Sequence, residues 1–182
     1  MEKITCLGTV MHIGTMQDTV HGIMQRLTEN KFTQHVVVNV AKLVNMQNDE
    51  KLRKSVESCD IVNIDGMGVV WGARFLGHNI PERVSGVDLF LNLLLAAERT
   101  GKSVYFLGAK PNVVAEVEIW ARKKHPKLII AGAHHGYFWD NEVEMVQSIK
   151  SSGADILFVA ITSPKKENFI DRWKDELGVK FV

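Results

Sequence analysis

The stretch DIVNIDGMGVVWGARFLGHNIPERVSGVDLF, from Asp60 to Phe90, concentrates the residues best suited to chemistry. Ile61 to Ile64 is a short apolar run broken by one Asn, which suits a buried strand in a parallel sheet. Asp65 ends the run, and Gly66 and Gly68 permit a tight turn into a helix that begins near Val69. Ligands of open α/β sheets sit outside the carboxyl ends of the strands, so Asp65 stands where chemistry is expected. The competing reading is structural, because Asp before Gly is also a common turn and cap pair.

A second candidate is the turn Gly108-Ala109-Lys110-Pro111-Asn112. It carries no acid and leads into a helix that Pro111 can start. Free amides, the positive end of a helix dipole and a lysine suit a phosphate. An ordinary strand-to-helix turn is the alternative. Arg83, in Pro81-Glu82-Arg83-Val84, is a candidate bidentate clamp for phosphate or sugar, or else the partner of a surface acid. Asp88 falls in the first turn of its helix, where a carboxylate is expected on dipole grounds, and reads as structural.

Several chemistries are disfavoured. Gly66-Met67-Gly68-Val69-Val70-Trp71-Gly72 resembles a dinucleotide fingerprint with one extra residue, but Asp65 sets a carboxylate beside the phosphates. At about 4 Å two like charges repel by roughly 4 kcal/mol under a surface-like dielectric. His134 and His135 are adjacent, and strand neighbours point to opposite faces, so a shared metal is not expected. One of them is expected to line the site. There is no Asp-x-Asp to hold Mg²⁺ on a diphosphate and no Gly-x-Ser-x-Gly nucleophile elbow. No cofactor or metal is called for.

The elements that position these residues alternate strand and helix. Strands are expected at His35–Val40, Ile61–Ile64, Ser103–Leu107, Leu128–Ala131 and Asp155–Ile161, with a last one starting at Val179. Helices are expected at Ala41–Ser58, through Arg74 to Gly77, from Ser85–Gly86 onward, from Pro111, at Glu142–Ser151 and at Lys165–Leu177. Such repeats predict a single Rossmann-like α/β domain over residues 1–182, with a largely parallel sheet and helices on both faces. The chain stops inside the apolar run KFV, which suggests that further sequence follows.

Composition narrows the classes. A net charge of +1 over 182 residues gives no electrostatic argument for nucleic acid. Two cysteines are too few for a disulfide framework, which fits a reducing, cytoplasmic setting. The N-terminus alternates polar and apolar residues and lacks the long apolar core of a signal peptide. No stretch approaches the roughly 18 apolar residues of a spanning helix. Leu- and Val-rich helices such as Leu89–Ala97 suit a core or a neighbouring copy equally, so a homo-oligomer stays open.

Taken together, Asn39 and the segment after it through AKLVNMQNDEKLRKSVESCDIVNIDGMGVVW, then PERVSGVDLF, YFLGAKPNVVAEV, HHGYF and ADILFVAITSPKKENFI, resemble the WecG/TagA/CpsF family of bacterial glycosyltransferases. The resemblance runs from about residue 34 to Val182. It implies inverting, metal-independent transfer of an N-acetylmannosamine-type sugar. The donor is a UDP-sugar and the acceptor an undecaprenyl-diphosphate-linked N-acetylglucosamine, in wall teichoic acid or related polysaccharide synthesis. It also implies a peripheral place at the inner face of the cell membrane for the full-length protein. Asp65 matches the family's general base. Asn39, Gly66, Arg83, Gly108, Lys110, His135, Lys165, Lys166 and Glu167 fall where substrate contacts are implied. Two competing classes are a non-catalytic UDP-sugar-binding module and, less well supported, a nucleotide-dependent oxidoreductase.

The chain departs from the family pattern in places. Val37 stands where the family commonly has Thr. Ala160-Ile161-Thr162-Ser163-Pro164-Lys165-Lys166-Glu167 replaces the usual Gly-x-Gly-Ala-Pro-Lys-Gln-Glu. A following Gly-Gly-x-Phe-Asp motif and basic segment, implied by the family, are not in these 182 residues.

Overall fold

The computed structural model describes residues 1–182 and is mixed α/β, with every strand pairing after the N-terminal hairpin parallel. Its internal contacts fall into two compact units, Met1–Asn92 and Leu93–Val182.

The first unit opens on a hairpin of β1 (Glu2–Cys6) and β2 (Thr9–Ile13), paired antiparallel. The turn is Leu7-Gly8, both at positive φ (51° and 75°), the backbone that a two-residue hairpin turn needs. Helix α1 (Met16–Thr28) starts from a reciprocal cap: the Thr15 hydroxyl accepts from the Asp18 amide, and the Asp18 carboxylate accepts from the Thr15 amide. Strands β3 (His35–Val38) and β4 (Ile61–Ile64) run parallel with Val38 opposite Ile64.

The helical pattern between these strands is two helices, α2 (Val40–Asn48) and α3 (Glu50–Glu57), rather than one. Asp49 is the reason. At φ −121° and ψ 95° it leaves the helical region, and its carboxylate accepts from the Leu52 amide to start α3. Helix α4 (Met67–Phe75) follows β4 and ends at Gly77 (φ 89°), as expected from the glycine. The core gathers Met11, Val38, Leu43, Met46, Val56, Ile64, Val70 and Ile80. His12 fastens the hairpin to β4: its Nδ1 accepts from the Val62 amide, and its carbonyl accepts from the Asn63 side chain. Burial, then the nearby Lys3, holds the imidazole below its ordinary pKa of 6.5.

Helix α5 (Gly86–Thr100) carries the chain from the first unit into the second. There β5 (Ser103–Gly108), β6 (Ile129–His134) and β7 (Ile156–Ala160) form a parallel sheet in the order β6-β5-β7. The register between β5 and β6 shifts at Val104/Tyr105. Phe181 makes one parallel bridge to Ile156, so the expected terminal strand is present as a single pairing. Helices α6 (Pro111–Lys124), α7 (Glu142–Ser152) and α8 (Lys165–Trp173) alternate with the strands. Val104, Leu107, Ile149, Ile156 and Phe169 are buried. Asp155 is wired into the strand starts by the Ser103 amide at 3.0 Å and Lys102 at 3.4 Å. Burial pushes its pKa up, but the Ser103 amide and the Lys102 ammonium outweigh that and hold it below the usual carboxylate value.

Candidate active site

In the first unit the carboxyl ends of β3 and β4 lie side by side, so Asn39 and Asp65 follow at one edge. The Asp65 amide donates to Val38 O at 2.9 Å, which fixes the strand tip. The Asp65 side chain is half-buried. Its Oδ2 accepts from the amide of Gly86, the first residue of α5, at 3.3 Å. Its Oδ1 takes no hydrogen bond from the protein. The carboxylate therefore has one oxygen tethered at the positive end of a 15-residue helix and one oxygen open.

Asn39 is exposed and caps α2: its Oδ1 accepts from the Lys42 amide at 2.9 Å. The cap commits the carbonyl oxygen to the fold and leaves Nδ2 as the donor available to a ligand. Gly66 owes its small size to this residue. A Cβ there would stand 3.1 Å from Asn39 Cβ, and a Cβ on Gly68 would stand 2.8 Å from Val40 Cγ2. These glycines let two protein turns meet rather than clearing room for a pyrophosphate, which weighs against the dinucleotide reading.

Arg83 sits on a segment tied to the same edge. The next residue, Val84, donates its amide to Ile64 O at 2.9 Å, and Ile64 immediately precedes Asp65. The preceding residue, Glu82, accepts from the Met16 amide at the start of α1 at 2.8 Å. Arg83 itself is exposed and makes no ion pair, so the surface-acid alternative does not describe it. Val37, in the position where the family commonly has Thr, has its Cγ2 within 3.5 Å of the site a Cβ on Gly86 would occupy. An apolar branch thus stands close to the amide that holds Asp65.

The second unit gathers the other candidates at the carboxyl edge of its sheet. Gly108 (φ 135°) ends β5, and a Cβ there would run into the Ala160 carbonyl on β7. Ala109, also at positive φ (59°), donates to Ala160 O at 2.9 Å and accepts from the Gly136 amide at 2.9 Å. Lys110 is exposed at the N-cap of α6 and Pro111 is the first helical residue, as the turn predicted. His135 comes to this turn through Gly136.

The strand-alternation argument about the histidines does not hold. Their ring centroids are 4.2 Å apart, because β6 ends at His134 and His135 already belongs to the loop. His135 Nδ1 accepts from the Tyr137 amide at 3.2 Å, which holds the ring in the turn. No group of three or more His, Cys, Asp or Glu side chains is arranged to hold a metal ion.

Lys165 opens α8 with its ammonium 5.0 Å from the centroid of the Trp139 ring. Lys166 lies 3.8 Å from the Glu167 carboxylate, whose side chain is 2% exposed. Glu167 is therefore turned inward, while Lys165 stays exposed at the turn. One participant was not legible as such. Gly86 reads only as a helix start, although the pattern Ser-Gly-x-Asp marks a helix N-terminus whose amides need an acceptor.

The model of the glycosyl transferase WecG/TagA/CpsF family matches residues 4–182. The chain is also similar to the N-acetylglucosaminyldiphosphoundecaprenol N-acetyl-beta-D-mannosaminyltransferase of Bacillus spizizenii, with 35% identity over 119 residues, 65% of this chain and 46% of that protein. The chain thus spans about half the length of the curated relative it matches. A match that reaches from the β1–β2 hairpin to Val182, and takes in both clusters, places the chain in the glycosyl transferase WecG/TagA/CpsF family.

Proposed function

We propose that this protein transfers an N-acetylmannosamine-type sugar from a UDP donor to an N-acetylglucosamine carried on undecaprenyl diphosphate, with inversion at the anomeric carbon. The product suits the linkage unit of wall teichoic acid or a related surface polysaccharide. The observation that carries the reading is Asp65, a carboxylate with Oδ2 tethered and Oδ1 open at a strand tip. In this scheme Oδ1 takes the proton of the acceptor hydroxyl as its oxygen bonds to the anomeric carbon. The bond from that carbon to the diphosphate breaks, and the diphosphate leaves with the electron pair.

Within the second unit, Lys110, Lys165 and the amides at the start of α6 have the chemistry to hold a diphosphate without a metal. Arg83 is assigned a phosphate or sugar oxygen, and Asn39 Nδ2 a hydroxyl. The relative's name specifies a diphosphoundecaprenol acceptor, which supports a lipid-linked acceptor here. An acceptor of that kind stays in the bilayer, so the full-length protein is assigned a peripheral place at its surface; no helix of these 182 residues is long and apolar enough to cross a membrane.

The test is Asp65→Asn in the full-length protein. It keeps size and hydrogen bonding but removes the basic oxygen, and the expected loss is about 10²- to 10⁴-fold in kcat with the fold intact. Unchanged turnover would remove Asp65 from the mechanism and favour a binding module instead.

A further inference from the structure

Lys42 is buried near the start of α2, with 8% of its surface exposed, and the scheme above gives it no part. It is the third residue of the helix. The dipole favours acids in that turn rather than cations, and taking an ammonium out of water is costly. Helix chemistry therefore does not ask for a lysine here. What its two ends hold shows its use.

The ammonium reaches back across the turn and donates to Val37 O on β3 at 2.9 Å. The amide of the same residue donates to Asn39 Oδ1 at 2.9 Å. One residue thus grips the strand before Asn39 and the Asn39 side chain itself. The other carbonyls of this stretch are also held: Val38 O accepts from the Asp65 amide at 2.9 Å, and Asn39 O from the Leu43 amide at 3.0 Å. The carbonyl taken by Lys42 and the carbonyl taken by Asp65 belong to neighbouring peptide units. The ammonium on Val37 O therefore steadies the backbone that carries Asn39 beside Asp65. Packing there leaves little slack, since a Cβ on Gly66 would stand 3.1 Å from Asn39 Cβ.

We infer that Lys42 is a positioning residue: by stapling the turn between β3 and α2 it sets the Asn39 amide group relative to the Asp65 carboxylate. Lys42 acts through Asn39 and is assigned no contact with substrate. The staple stands on its two hydrogen bonds; its use in sugar transfer rests on the proposed function.

The test has two arms, both on the full-length protein. Lys42→Met keeps the apolar stem and removes the ammonium. Asn39→Ser keeps an oxygen to cap α2 and removes Nδ2. In hydrogen exchange followed by NMR, Lys42→Met is expected to raise exchange of the residue-42 amide about tenfold and to leave the amides of α3 unchanged. A lysine that only supported the fold would raise both. In transfer assays Lys42→Met is expected to lower kcat/KM about tenfold on its own, and less than about twofold when Asn39→Ser is already present. Lys42→Gln, whose amide is one bond too short for Val37 O, is read in the same way should the Met variant not fold. Unchanged exchange at residue 42, or an equal loss of transfer with and without Asn39→Ser, would overturn the inference. So would transfer by Lys42→Met at the rate of the unaltered protein. Exchange needs no substrate. Raised exchange at residue 42, in a protein whose unaltered form transfers no sugar, would sink the proposed reaction and leave the staple standing.

Discussion

Gly86→Pro isolates the bond that tethers the candidate base. Gly86 is the first residue of α5, a position where proline is favoured because its missing amide has no helical partner. The one hydrogen bond lost is therefore the 3.3 Å contact from Gly86 N–H to Asp65 Oδ2. The ring also places a methylene where the amide hydrogen pointed, so the carboxylate must turn away. A hydrogen bond to a charged group contributes about 1.5–3 kcal/mol. If Asp65 acts only when held, kcat falls by about 10- to 100-fold while the Michaelis constant for the donor is unchanged. Gly86→Ala is the control: its Cβ would lie 3.5 Å from Val37 and 3.8 Å from Asp65 Oδ2, both ordinary contacts, and its amide remains. The assay is steady-state transfer in the full-length protein, with thermal melts to show that all variants fold. Equal kcat for Pro and Ala at 86 would refute the positioning argument even if Asp65→Asn is inactive.

Three other outcomes are expected. Gly108→Ala should cost about 3 kcal/mol or more in denaturant unfolding, because its Cβ meets the Ala160 carbonyl and its φ of 135° disfavours any side chain; a cost below ~1 kcal/mol would mean the β5–β7 contact relaxes freely. Arg83→Ala should leave stability within about 0.5 kcal/mol, since Arg83 is exposed and unpaired, yet weaken substrate binding by about 1.5–3 kcal/mol in calorimetry; unchanged affinity for donor and acceptor would remove it from the site. His12 is held below 6.5 in the folded state, so the unfolded chain binds the extra proton first. The stability it contributes is present above pH 6.5 and is lost as pH falls from there through the folded value. His12→Gln should flatten that part of a melting-temperature profile, and an identical profile would show that other groups set it.

Much of the architecture was legible where local chemistry and burial agree. Ile61–Ile64 is the observed β4 residue for residue, and Pro111 and Gly86 open the helices they were expected to open. Local signals were also present where one long helix was expected: Asp49 followed three residues later by Leu52 is a cap pattern, but helical propensity on both sides hides it. The N-terminal hairpin turns on Leu7 at positive φ, which a leucine does not advertise. What the sequence could not convey was non-local. That Gly66 must be small because Asn39 lies 3.1 Å away depends on two strands pairing in register. The tether of Asp65 to Gly86 spans 21 residues, and no spacing rule connects them. The histidine pair failed for the opposite reason, since the alternation rule was applied one residue beyond the strand.

The segment around Arg83 divides labour between neighbours. Glu82 is bound to the start of α1 and Val84 to the end of β4, so the residues on either side are anchored to different elements. Arg83 is the free span between two piers. Changes at 82 or 84 are felt by the whole first unit, whereas the side chain at 83 can be exchanged without loosening either attachment. On the role proposed for Arg83, drift at 83 would be limited by what binds there, not by folding, and in relatives that keep both anchors the residue at this position should follow the ligand each one handles.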